Sequence, residues 1–103
     1  SQDGGAAIVR LTHCQQGEIR NMAFHRSQPM DTVVWLAGPG NENITIAGNL
    51  FTLPGDTCIR LDPGTAHTSI LDNRFCNTCS TEIYDAGAIG TTLRRMFELD
   101  VER

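Results

Sequence analysis

Apolar and polar positions along this chain change over in short runs, each broken by Gly, Pro, Asn or Asp. Residues 7–11 (AIVRL) form the first apolar-rich run, and residues 18–25 a second. Residues 32–36 (TVVWL) make the strongest, because nearly every side chain is β-branched or aromatic and packs well on a pleated surface. That run stops at Gly38-Pro39-Gly40-Asn41, a turn by composition. Residues 43–47 (NITIA) alternate strictly between polar and apolar, the two-residue period of a half-buried strand. Gly48-Asn49 then predicts a hairpin turn, with residues 50–53 returning as the partner strand. Further strands are expected over 57–61, 67–71 and 82–84, separated by Pro54-Gly55-Asp56, Asp62-Pro63-Gly64 and Asp72-Asn73. In the second of these turns, Pro63 suits the first central position of a type II turn and Gly64 the second, which needs positive φ.

The last segment fits two periods. Leu93, Met96, Phe97 and Val101 have helical spacing, whereas Leu93, Phe97, Leu99 and Val101 fit a strand. The strand is preferred because the rest of the chain is β. No internal repeat and no low-complexity segment emerges. Strands and turns at this pace predict an all-β sandwich or barrel, and closing a barrel removes exposed sheet edges.

A length of 103 residues implies one domain. Residues 1–5 are polar and Gly-rich and read as a loose arm, leaving 6–103 as the folded unit. The net charge is −4 and no Lys/Arg cluster is dense, so nucleic acid is not expected as a partner. No apolar run approaches the ~20 residues of a membrane span, and no leader-like segment opens the chain. The expectation is a cytoplasmic protein, with secretion left open. Cys76 and Cys79 make a C-x-x-C, but no second pair exists to close a zinc site and no βαβ pattern surrounds it. This C-x-x-C is read as a turn with ordinary thiols, ahead of a disulfide and of zinc or redox chemistry; with Cys14 and Cys58 it would give two disulfides in a secreted protein and free thiols in a reducing cytosol.

Candidate chemistry gathers around His25, Asp31 and His67. His25, Ser27 and Asp31 share parity, so on a strand they face one side, although Pro29 bends the path. The turn at Pro63-Gly64 delivers His67 to the start of a strand. Two histidines and a carboxylate converging inside a barrel would leave metal coordination positions open, as catalytic sites do. His13, beside a polar turn, reads as a surface residue.

At these positions the chain resembles the cupin family. His25, Ser27, Asp31 and Gly38 fall on the first cupin motif with its gaps of one, three and six residues. Gly55, Gly64 and His67 match the second motif, with Pro63 displaced by one. Ser27 stands where the family has a second histidine, and Asp31 where it has glutamate. The resemblance implies a cupin-type antiparallel β-barrel, or jelly roll, that forms a homodimer. It implies a small-molecule enzyme with a divalent transition metal (Fe, Mn, Ni or Zn) held by His25, Asp31 and His67, with Asp31 and His67 catalytic. The alternative is a metal-free cupin that binds a small acid or sugar without catalysis. Trp35, Arg60 and Tyr84 are the candidates for contacting that small molecule, Arg60 by gripping a carboxylate with its planar fork.

Overall fold

In a computed structural model, residues 7–24, 30–52, 55–76 and 79–94 are described. Their strands, in chain order, are β1 (Ala7–Leu11), β2 (Glu18–Arg20), β3 (Ala23–Phe24), β4 (Met30–Leu36), β5 (Thr45–Ala47) and β6 (Leu50–Phe51). They are followed by β7 (Gly55–Leu61), β8 (Ser69–Leu71), β9 (Arg74–Phe75), β10 (Cys79–Asp85) and β11 (Thr92–Arg94). No strand pairs with its neighbour in sequence. Among the described residues, pairing joins equivalent strands of successive coils, and every ladder is parallel. Three sheets result, in the orders β1-β4-β7-β10, β11-β8-β5-β2 and β3-β6-β9. The fold is a parallel β-solenoid of about three turns.

Parallel stacking puts like residues over like. Ile19, Ile46 and Ile70 share one register column, and Phe24, Phe51 and Phe75 another. The three phenyl rings stack with centroids 5.1 and 5.0 Å apart. Val34 lies over Ile59 and Leu36 over Leu61, all four fully buried. Val33 and Cys58, of the opposite parity, are equally buried. The middles of β4 and β7 are thus apolar throughout, as parallel strands tend to be. Isoleucine and phenylalanine columns of this kind remove a large share of the chain's apolar surface from water, the main favourable term in folding.

Two columns of left-handed residues turn the corners. Gln16, Asn43, His67 and Gly90 have φ of 66, 56, 58 and 71°, and Asn21, Gly48 and Asp72 have 54, 66 and 56°. Asn, Asp, His and Gly tolerate this region better than most residue types. The conformation keeps the corner N–H groups along the solenoid axis: Asn43 donates to the carbonyl of Ala66, His67 to Ile89, and Gly48 to Leu71. Beside the second column, two buried asparagines bridge three coils. Asn49 Nδ2 donates to the Ile19 carbonyl and to Asn73 Oδ1, both at 2.9 Å, and its Oδ1 accepts from Met22 N–H. Asn73 in turn donates to the Ile46 carbonyl and accepts from Asn49 N–H.

This architecture corrects the antiparallel jelly-roll barrel. Gly48-Asn49 is not a hairpin: β5 pairs with β2 and β8, and β6 with β3 and β9. A two-residue hairpin of the commonest type needs positive φ at both central residues. Here only Gly48 has it, and Asn49 is spent on hydrogen bonds to adjacent coils. The absence of a repeat is corrected too. Phe24 is in register with Phe51, Met30 with Gly55, Gly55 with Cys79 and Ile70 with Leu93, so the structural repeat runs from 23 to 27 residues. The Asp62-Pro63-Gly64-Thr65 turn does form as a type II turn: Gly64 has φ 92° and Thr65 N–H donates to the Asp62 carbonyl at 3.3 Å. Cys58 is disulfide-bonded, while Cys14 and Cys76 are free, so the chain follows neither the all-thiol nor the two-disulfide expectation.

Candidate functional site

The longest sheet carries an outward column built from one residue of each strand: Arg10 on β1, Trp35 on β4, Arg60 on β7 and Tyr84 on β10. Because β1 and β7 flank β4 on opposite sides, the two guanidiniums approach Trp35 from opposite faces. Arg10 lies 4.6 Å and Arg60 4.7 Å from the ring centroid. Arg60 also lies 5.9 Å from the Tyr84 ring. Register alone produces this, since every side chain on the outer face meets its counterpart one coil away, about 4.8 Å along the axis. Cation–π contacts of this kind hold both the rings and the guanidiniums in place.

One carboxylate organises the base of the column. Asp62 Oδ1 accepts from Arg60 Nε at 2.9 Å, and Asp62 Oδ2 accepts from the Gly38 N–H at 2.9 Å. Burial would raise the Asp62 carboxyl, but the Gly38 N–H, the Trp35 indole N–H, the Arg60 hydrogen bond and the Arg60 charge together hold it below its ordinary 3.8. The indole N–H is buried with no partner inside ordinary hydrogen-bond limits, and it still favours the ionised Asp62 carboxylate. The Asp62 side chain is only 14% exposed, whereas that of Arg60 is 37% exposed. Arg60 therefore has its Nε tied inward, while its two terminal nitrogens make no hydrogen bond among the described residues. Arg10 is exposed and has no carboxylate partner among them. Tyr84 is 49% exposed.

Trp35, Arg60 and Tyr84, singled out as small-molecule contacts, thus stand side by side. Arg10 completes their column and was missed, since only the strand register shows that it stacks on Trp35. The proposed metal trio fares differently. His25 lies outside the described residues, as does the Asp31 side chain. His67 does not face an interior cavity: it is exposed on a left-handed corner. The parallel solenoid replaces the metal-binding barrel, and among the described residues no three His, Cys, Asp or Glu side chains gather to hold a metal ion.

A concavity of about 710 Å³ opens beside β10 and β11, lined by Ile70, Ser80, Glu82, Ile83, Asp85, Thr91 and Leu93. Leu93 continues the Ile19–Ile46–Ile70 column with no strand beyond it among the described residues, and is 52% exposed. The Asp85 carboxylate is engaged by the Gly87 and Ala88 N–H groups of its own turn. No helix of the described residues is long and apolar enough to cross a membrane. Neither family models, nor curated proteins, nor solved structures yield a match to this chain.

Proposed function

We propose that this solenoid is a non-catalytic binding module whose outer column of Arg10, Trp35, Arg60 and Tyr84 takes a carboxylate-bearing ligand. One observation supports the reading: two guanidiniums are clamped on opposite faces of one indole, Arg10 exposed and without a carboxylate partner among the described residues, Arg60 held at its Nε by Asp62 with its terminal nitrogens unbonded there. A clamped guanidinium has lost its rotamer freedom before the ligand arrives, so less of the binding energy goes into ordering it. Its planar fork matches a carboxylate with two parallel N–H···O bonds. Binding is favoured over catalysis because the nearest carboxylate, Asp62, is already held ionised by three groups and is not a free base. The disulfide at Cys58 supports an oxidising compartment as the place of work.

Trp35 is the only tryptophan and reports the site directly. Titration with glucuronate should change its emission saturably, glucose should not, and salt should weaken the effect. Arg10→Gln should reduce the response. Indifference of Trp35 to every carboxylate tested, with the fold intact, would refute the module.

A further inference from the structure

We infer that the ligand of this column is a chain rather than a single small acid: an acidic polysaccharide lying along the solenoid axis, with carboxylates on alternate rings. The inference rests on the binding reading above and adds its substrate class.

The column is a line, not a pocket. Its four residues come from four successive strands of one sheet, so it runs across the strands and along the axis. Small-molecule sites, in contrast, are concave, with polar groups converging on one volume. Here the polar groups diverge. The indole of Trp35 stands between Arg10 and Arg60 and keeps their guanidiniums two strand spacings apart, about 10 Å. One carboxylate cannot bridge that gap. Two carboxylates on a common extended backbone can, each taking one fork.

Both faces of Trp35 are occupied by guanidiniums, so sugar rings do not stack there. They lie across its outer edge, between the two charged contacts. Tyr84 has Arg60 on one side and is half exposed, which leaves it as a platform at the end of the line.

Charge density selects the class of polymer. A nucleic acid is held by many phosphate contacts from a dense basic surface. This chain carries 8 Arg and Lys residues against 12 Asp and Glu. Arg20 and Arg94 are paired with Glu18 and Asp72 away from the column, and within it Arg60 gives its Nε to Asp62 and has only its terminal nitrogens left for a ligand, whereas Arg10 has no carboxylate partner among the described residues. The column therefore offers two anion contacts, widely spaced, in an otherwise acidic molecule. A polymer with sparse carboxylates meets that pattern, and one with a phosphate on every unit does not.

The test uses hyaluronan oligosaccharides, in which carboxylates alternate with neutral rings, read by Trp35 emission and by calorimetry. The tetrasaccharide, with two carboxylates, should bind at least tenfold tighter than the disaccharide, with one. Arg10→Gln should abolish the length advantage, so that the variant binds tetrasaccharide and disaccharide with equal affinity. Equal affinity for the two lengths would overturn the chain inference while leaving the binding module standing. Tighter binding of a single-stranded oligonucleotide than of the tetrasaccharide would overturn it in favour of a phosphate polymer. No response to any of these acids would overturn both readings. Circular dichroism of Arg10→Gln, an exposed position, confirms that each comparison is made on folded protein.

Discussion

Replacing Asn49 by alanine tests what holds the solenoid's coils in register. Asn49 is 1% exposed and its side chain joins three coils. The substitution removes its bonds to the Ile19 carbonyl, to Asn73 Oδ1 and to the Met22 N–H. Each hydrogen bond contributes about 1 kcal/mol net, and a buried group left unpaired costs about 1–3 kcal/mol. The Ile19 carbonyl is left without this partner, and the Met22 N–H regains one only if water enters. Asn73 Oδ1 keeps the Asn49 N–H and suffers less. The expected loss is about 3–5 kcal/mol. A domain of this size has a total stability of about 5–15 kcal/mol, so the variant should be close to unfolding. Urea unfolding, followed by circular dichroism and Trp35 emission, gives the difference from the midpoint shift at constant slope. Asn49→Asp is the sharper variant. It keeps the acceptor for Met22 but turns an oxygen toward the Ile19 carbonyl and Asn73 Oδ1, and should be at least as damaging. Asn43→Gly is the control: Asn43 is exposed on a left-handed corner, and glycine there should change stability by less than about 1 kcal/mol. A loss below about 1 kcal/mol for Asn49→Ala would refute the reasoning.

Gly64→Ala should cost about 2 kcal/mol or more, because the residue sits at φ 92° and an added Cβ would lie 2.7 Å from Pro39 Cβ and 2.8 Å from Pro39 Cα; an unchanged thermal midpoint would count against that turn. Phe51→Ala, in the centre of the three-ring stack, should cost about 3–5 kcal/mol by chemical denaturation, and a cost below 1 kcal/mol would mean the stack is not packed as described. The Asp62 carboxyl titrates lower in the folded state than its ordinary 3.8, so its contribution is complete above about pH 4 and is lost as the pH falls through the depressed folded value. Asp62→Asn should therefore flatten the acid limb of a stability–pH curve, and an acid limb identical to that of the parent would show that Asp62 does not drive it.

Local features of the chain were legible from the sequence alone. The residues of β1 were read at their observed bounds, and those of β4, β5 and β7 to within two residues at each end. β-Branched and aromatic side chains impose strand geometry wherever they fall. The Pro63-Gly64 turn was equally legible, because proline sets φ at one position and glycine alone is at ease at the next. What a strand pairs with is a different matter. The alternation in residues 43–47 says that one face is buried, but not whether the next strand returns beside it or crosses to another sheet. Gly48 serves either outcome, and the choice was made by Asn49, whose hydrogen bonds reach residues in the coils before and after it. The repeat was hidden because it is kept by few residues at uneven spacing. Phe24, Phe51 and Phe75 are 27 and then 24 positions apart, with the difference absorbed by loops. The cupin spacing of His25, Asp31 and His67 arose in a chain rich in Gly and Pro turns, where such intervals carry little information about topology. Trp35, Arg60 and Tyr84 could be named from their chemistry, but their stacking on one another, and on Arg10, exists only because four parallel strands lie in register about 4.8 Å apart.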